Sequence, residues 1–254
     1  MHAIQDPLHP HPVWLRPAMT ETGRAPSLTD LPFFRGADAA ALATLGAAAR
    51  WRTVEPGQVV VDEDEPSTDI FFVASGAVRV QLRAASGREV LLNEFGAGEF
   101  FGELSAIDGA PRAANVTAVA RSRLCIIPAQ AFLDFVFATP AACHALLRTL
   151  AAKLRLQTER TLEREALPVR LRLFSELLRL SRPRSGAPGE RVVSPPPPHH
   201  ELAARIGARR EVVSRELSDM TREGWLARDR RAIRILRAAE IQRAVAAELR
   251  APAA

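Results

Sequence analysis

The sequence predicts an α+β protein in three consecutive blocks: an antiparallel β-roll of short strands, a long helix, and two closing helices followed by a hairpin. Three observations predict it. Short apolar runs alternating at period two, such as "AVRVQLR" with Val78, Val80 and Leu82 set against Arg79, Gln81 and Arg83, fill the region before Pro128 and are punctuated by Gly57, Gly76, Gly87, Gly96 and Gly98. Beyond Pro128 the period turns helical, and Leu147, Leu150, Leu154, Gln157 and Thr161 fall at the a/d spacing of a coiled-coil seam. Finally, "ELAARIGARREVVSREL" reads as one helix ended by Gly207 and a second begun at once, which is the helix-turn-helix pattern.

Taken in order, residues 1–28 are proline-rich and aperiodic and are expected to form a tail, whose His2, His9 and His11 lack the acid or cysteine partners of a metal site. "LPFFRGADAAALATLGAAAR", Leu31 to Arg50, carries a helical pattern of small residues. The runs "QVVV", "DIFFVAS", "AVRVQLR", "REVLLNE", "NVTAVA" and "RLCIIP" are then short strands at near-regular spacing, the mark of a sandwich or roll. The leucine seam is apolar at its start and polar at its end, and Pro168 breaks it, so "EREALP" is expected to be a hinge into a second amphipathic helix bearing Leu171, Phe174, Leu177 and Leu178. "SRPRSGAPGERVVSPPPPHH" reads as a loop with a strand, and Pro195 to Pro198 cannot join a central strand. After the two short helices, "GWLA", "RDRR" and "AIRIL" read as strand, turn, strand: a basic wing. The expected divisions are a tail over 1–28, a roll over 29–137, a dimerisation helix and hinge over 138–167, a winged helix-turn-helix over 168–240, and a helix or tail over 241–254.

A chain of 254 residues suits two domains, and 47% apolar with 25% charged residues is ordinary for a globular protein. No apolar run approaches the roughly 20 residues that span a bilayer, and the N-terminus lacks the core of a signal peptide. A cytoplasmic location without membrane attachment is the expectation. Cys125 and Cys143 make no metal spacing and read as structural thiols. The net charge of +5 is uneven: from residue 185 onward there are 13 arginines against 9 acids, whereas residues 1–184 carry 21 basic and 20 acidic groups. A polyanionic partner for the C-terminal part follows, or else a solvated arginine-rich surface.

The stretch "FGELSAIDGAPRAANVTA", residues 101–118, sets one carboxylate, Glu103, beside Gly102 and one arginine, Arg112, in a nest of small residues. A glycine admits close backbone approach, a carboxylate accepts from ribose hydroxyls, and a guanidinium matches phosphate oxygens as a planar fork. Ala113 and Ala114 leave room and offer backbone N–H groups to an anion. The pair therefore fits a phosphorylated sugar; an internal Glu103–Arg112 salt bridge is the other reading.

This stretch resembles the phosphate-binding cassette of cyclic-nucleotide-binding domains, close to the version in regulatory subunits of the cyclic-AMP-dependent protein kinases. Phe101-Gly102-Glu103-Leu104 and Pro111-Arg112-Ala113-Ala114 carry the match. The resemblance implies that Glu103 binds the ribose 2′-hydroxyl, and that Arg112 with the Ala113 amide binds the cyclic phosphate. It further implies cyclic AMP rather than cyclic GMP, because the threonine that favours cyclic GMP is replaced by Ala113.

From about Leu31 to Leu236 the chain is similar to the CRP/FNR family of bacterial transcription regulators, with "RREVVSREL" resembling the family's recognition helix. Arg210, Glu211, Ser214 and Arg215 share one helical face, where arginine can bond guanine O6 and N7 and glutamate can accept from cytosine N4. Arg228, Arg230 and Arg231 in the wing are expected on phosphates. A surface helix with a Glu211–Arg215 ion pair is the alternative. The sequence departs from the family in three places. Arg209 stands where a serine or threonine caps the recognition helix, the proline run replaces an ordinary strand, and Gln157-Thr158 stand where a Thr-Ser pair of the dimer helix contacts adenine. No haem ligand pair is present, Cys125 having no partner, and His199 and His200, ahead of the first helix, are expected on phosphate or solvent.

The expected protein is thus a homodimeric regulator of double-stranded DNA switched by cyclic AMP as allosteric ligand, with no resident cofactor or metal, no enzymatic activity, and RNA polymerase as a further partner that the resemblance allows. The ligand-site candidates are Gly102, Glu103, Leu104, Arg112, Ala113, Gln157 and Thr158. Two alternatives stand beside it: the same DNA-binding fold with another ligand or none, and a nucleotide-sensing module acting on a protein partner.

Overall fold

The computed structural model describes residues 27–83 and 89–250, with the side chain of Glu89 excepted. The expected tail up to residue 26, Gly87 and the last four residues lie outside the described residues. The chain separates into two compact units that meet in sequence at Ala151/Ala152.

The N-terminal unit opens with two 3-10 turns, Leu28–Asp30 and Pro32–Phe34, before α1 (Ala39–Ala48). The helical reading of Leu31–Arg50 is thus too long at both ends. Pro32 opens a turn, Gly36 sits at φ 77°, and Asp38 restarts the chain as an N-cap that accepts from Ala41 N–H at 3.0 Å. Arg50 already belongs to β1 (Arg50–Val54).

Eight strands follow: β1, β2 (Val59–Val61), β3 (Ile70–Ser75), β4 (Ala77–Arg83), β5 (Glu89–Gly96), β6 (Phe100–Phe101), β7 (Asn115–Ala118) and β8 (Ser122–Ile127). They form two antiparallel four-stranded sheets, ordered β1-β8-β3-β6 and β2-β7-β4-β5. β1 and β6 are strands that the sequence pattern left out. "IFFV" in β3 does not alternate because both of its faces are covered. Phe71 and Val73 pack into the roll with Val78, Phe95 and Leu124, while Ile70 and Phe72 face Phe34, Phe132 and Leu146 beneath the helices. In β4 only Val78 is fully buried; a register shift between Val80 and Gln81 breaks the expected alternation. α2 (Glu103–Asp108) interrupts the strands, and α3 (Ala129–Ala138) follows them. Trp51 lies under the Arg123 guanidinium, 5.9 Å from its carbon.

α4 (Pro140–Ala166) is one continuous helix across the unit boundary. Its expected seam is partly bare on a single chain: Leu147 is 59% and Leu154 69% exposed, whereas Leu150 is half-buried against the core of the N-terminal unit; Leu162, beside the seam, is also exposed.

The C-terminal unit contains the end of α4, α5 (Val169–Leu180), α6 (His199–Ile206), α7 (Arg210–Arg222) and α8 (Ala238–Arg250) around a sheet ordered β11-β12-β10-β9. Its strands are β9 (Arg182–Pro183), β10 (Arg191–Val193), β11 (Leu226–Arg228) and β12 (Ile233–Ile235). β10 pairs with the wing strand β12, so a strand does precede the motif and the prolines follow it. Pro168 serves as the N-cap of α5, whose buried stripe is Leu173, Phe174, Leu177 and Leu180; the expected Leu171 and Leu178 lie at its margins, half-buried. Trp225 packs edge-on to Phe174, and the Arg237 guanidinium sits 4.1 Å above its ring.

Inside this unit lies a buried ion cluster. Glu176 on α5 pairs with Arg179 of its own helix and with Arg205 of α6 at 3.4 Å. Arg179 also reaches Glu163 at the end of α4 at 2.8 Å, and Ser175 donates to the same Glu163 at 2.6 Å. Three helices are thereby tied through two carboxylates. Burial pushes the Glu176 carboxyl up, but Arg179, Arg205 and Arg160 outweigh it and hold it below the usual range.

Candidate ligand cassette and nucleic-acid interface

In the N-terminal unit the cassette is set by a glycine. Gly102 adopts φ 84° as N-cap of α2, and a Cβ there would stand 2.8 Å from Arg112 Nη1 and 2.9 Å from the Asp69 carbonyl oxygen. The backbone can take this path only without a side chain. It delivers Glu103 into the interior at 5% exposure and leaves Leu104 outside at 53%.

Arg112 is 3% exposed. Its Nε–H donates to Ser67 Oγ at 2.9 Å, Nη1 to the Gly102 carbonyl at 3.2 Å and Nη2 to the Asp69 carbonyl at 2.7 Å. Its carbon lies 5.4 Å from the Phe71 ring centre. The backbone is pinned as well: Arg112 N–H donates to Glu65 O at 3.0 Å, and Asp64 N–H to Arg112 O at 3.0 Å. All three side-chain bonds go to uncharged acceptors, so none is a Glu103 salt bridge, and two of the five guanidinium N–H groups are left for another acceptor. Burial pulls the guanidinium below its ordinary value, opposed by the carboxylates Glu65, Asp69 and Glu103. An arginine remains protonated throughout. Ala113 is exposed beside it, and Ala114 is buried. A buried, aimed cation with spare donors next to a buried carboxylate can take an anion bearing hydroxyl groups.

Gln157 and Thr158 belong to the C-terminal unit. Both are exposed on α4, and the Thr158 hydroxyl donates to the Leu154 carbonyl at 3.0 Å, which leaves its oxygen as an acceptor. Sequence reasoning missed Ser67 and Asp69 as supports of Arg112. They stand 45 and 43 residues away along the chain, and no motif marks them.

In the C-terminal unit, Gly207 ends α6 in the left-handed region at φ 66° and turns the chain into α7. α7 buries Val213, Leu217 and Met220; Glu211 and Arg215 are exposed on the side away from them, Arg210 is exposed at the helix start, and Ser214 is half-buried. Among the described residues no ion pair joins Glu211 to Arg215, so the alternative of a paired surface helix loses its contact. Arg209 is the N-cap and makes no side-chain cap. Arg230 and Arg231 are exposed at the wing tip, where the Asp229 carboxylate accepts from the Arg231 and Ala232 N–H groups at 2.7 and 2.8 Å. His199 and His200 do not precede the first helix: they are its first two residues. His199 is turned to protein, with Nδ1 2.6 Å from Ser214 Oγ and Nε2 3.0 Å from Arg228 Nη2. Arg228 is accordingly half-buried and tied on one side.

Cys125 is buried, and burial pushes its thiol up to about 12. No group of three or more metal-ligating side chains occurs among the described residues. No single described helix is long and apolar enough to cross a membrane.

These two features define a ligand-binding roll joined to a DNA-binding motif, and comparison with known proteins gives the same class. Residues 51–139 match the cyclic nucleotide-binding domain family, and residues 171–244 match the Crp-like helix-turn-helix domain family. The chain is 31% identical over 195 residues to the CRP-like cAMP-activated global transcriptional regulator of Mycobacterium tuberculosis, covering 76% of this chain and 87% of that one. It is 34% identical over 176 residues to the cyclic AMP receptor protein of Thermus thermophilus, covering 68% and 77%. Among solved structures it is similar to CLP, the c-di-GMP responsive global regulator of Xanthomonas campestris, with a TM-score of 0.65 at 25% identity over 77% of this chain and 98% of that one. The chain belongs to the CRP/FNR family of transcription regulators.

Proposed function

We propose that this chain is a homodimeric, cyclic-AMP-responsive transcription regulator without enzymatic activity. The single observation that carries the ligand assignment is Arg112: a buried guanidinium held by three neutral acceptors, with donors to spare, beside the buried Glu103. In this reading Arg112 and the Ala113 amide hold the cyclic phosphate, Glu103 holds the ribose 2′-hydroxyl, Gly102 and the backbone of Leu104 line the site, the Leu104 side chain pointing away from it, and Thr158 with Gln157 meets the base. Cyclic AMP is favoured by Ala113 and by the cAMP named for the Mycobacterium and Thermus relatives. The exposed Leu147 and Leu154 support self-association along α4.

Two recognition helices related by a two-fold axis would then meet half-sites about one DNA turn apart. Arg209, Arg210, Glu211, Ser214 and Arg215 face the major groove, and Arg228, Arg230 and Arg231 lie toward phosphates. Ligand acts only through its different affinities for the two arrangements of the dimer.

A second reading keeps the DNA-binding role and changes the ligand. It is favoured by Gln157 at the base-contact position and by the cyclic di-GMP response in the name of the Xanthomonas relative. A thermal-shift panel of cyclic AMP, cyclic GMP, cyclic di-GMP and linear AMP decides between them. The true ligand adds about 2.7 kcal/mol of stability at a hundredfold excess over its Kd. A gel shift on the gene's own upstream DNA, with and without that ligand, tests the coupling. A shift indifferent to every nucleotide overturns the sensor assignment, and no shift at all overturns the regulator.

A further inference from the structure

His199 bridges two elements of the DNA-binding motif that lie apart in sequence. It starts α6, its Nδ1 lies 2.6 Å from Ser214 Oγ on α7, and its Nε2 lies 3.0 Å from Arg228 Nη2 on β11. Arginine only donates, so Nε2 is the acceptor and the neutral ring carries its proton on Nδ1. Nδ1–H then donates to Ser214, whose hydroxyl oxygen is an acceptor in that bond and keeps its own proton for something else. Burial lowers the imidazole's affinity for a proton, and the cations Arg228 and Arg210 lower it further, in keeping with a neutral ring.

Ser214 differs from the other hydroxyls of its own helix, Ser218 and Thr221. A serine or threonine hydroxyl inside a helix can donate to the carbonyl four residues back. Thr149, Thr158, Ser218 and Thr221 all do so here, at 2.7–3.0 Å. Ser214 instead points to His199. Freed of its own helix, that hydroxyl is a directed donor on the half-buried edge of the face that bears Arg210, Glu211 and Arg215.

We propose that His199 is a positioning residue for sequence readout: it orients the Ser214 hydroxyl as a donor toward a major-groove acceptor such as purine N7 or thymine O4, and it latches the wing arginine Arg228 to the recognition helix. The inference rests on the DNA-binding reading and deepens it, because it assigns the wing's placement and one base preference to a side chain outside both. Loss of His199 lets the Ser214 hydroxyl fall back onto the Arg210 carbonyl, as its neighbours do, and the donor is withdrawn from the groove.

The test is a randomised-site selection with the full-length protein, read for wild type, Ser214→Ala, His199→Ala, the double variant and His199→Asn, with thermal melts to confirm folding. Ser214→Ala is expected to relax preference at one base pair per half-site by about tenfold. His199→Ala relaxes the same base pair by a similar factor, the double variant is no worse than Ser214→Ala, and His199→Asn restores that preference because its amide can donate from near the Nδ1 position. A His199→Ala variant that weakens binding equally for all sequences, or leaves the Ser214-dependent base pair unchanged, overturns the inference while the regulator stands. A wild-type chain that selects no sequence at all overturns the regulator and this inference together.

Discussion

The Nη1 of Arg112 donates to the Gly102 carbonyl at 3.2 Å, and a methyl group placed on Gly102 would stand 2.8 Å from that same nitrogen. The glycine and the arginine therefore specify one another. Gly102→Ala must move the guanidinium and also adopt φ 84°. We expect a loss of about 1–3 kcal/mol in urea unfolding, together with weakened cyclic-nucleotide binding in calorimetry. Full affinity in this variant would mean that the arginine's position is not what the ligand reads.

Arg112→Lys keeps the charge and loses the fork. Lysine cannot serve Ser67, Gly102 and Asp69 while also presenting paired donors outward. Nucleotide affinity is expected to fall at least about tenfold, a loss of about 1.4 kcal/mol or more. Stability should fall by about 1–3 kcal/mol because buried acceptors are orphaned. Calorimetry and denaturant melts separate the two effects.

Glu176 anchors the ion cluster, so Glu176→Ala leaves Arg179 and Arg205 without their shared carboxylate. A cost of about 3–5 kcal/mol is expected. The folded carboxyl titrates below its unfolded value, so its contribution is present above about pH 4.5 and drains away as acidification protonates it in the folded state. Urea midpoints measured from pH 7 to pH 3 should fall in wild type, and the fall should be smaller in Glu176→Gln.

Leu154 is 69% exposed in the single chain. Leu154→Glu should therefore leave the monomer's own packing untouched and abolish self-association, seen as a halved mass in sedimentation equilibrium. A variant that stays dimeric would move the interface away from this stripe.

Arg210 is exposed at the start of α7 with no ion-pair partner among the described residues. Arg210→Ala is expected to relax selection at one guanine-bearing position by about 1–3 kcal/mol, whereas Arg230→Ala at the wing tip should weaken all sequences alike and flatten the salt dependence. Binding titrations at several salt concentrations distinguish the two outcomes.

Much of this architecture was legible in local pattern. Short β-rich runs marked six strands, a/d leucines marked α4, and Gly207 marked the turn between α6 and α7. What was hidden depended on neighbours distant in sequence. The two-residue β6 is too short to show a period, and the Arg-Trp-Arg-Thr of β1 carries little apolar signal of its own. "IFFV" hid its alternation because helices cover the face that an open sheet would expose. For the same reason Glu103 and Arg112 were legible as a pair of residue types, while the supports from Ser67 and Asp69 were not. His199 was read as a surface histidine because its partners lie 15 and 29 residues away.

The chain contains three tryptophans and no tyrosine; Trp51 sits against Arg123 in the N-terminal unit, and Trp225 against Arg237 in the C-terminal one. Each half of the molecule therefore carries its own built-in lamp. With Trp14 and one of these two replaced by phenylalanine, ultraviolet emission from the remaining indole reports on a single half. Stopped-flow traces of two such proteins mixed with nucleotide would give the order in which the halves respond, with no dye attached.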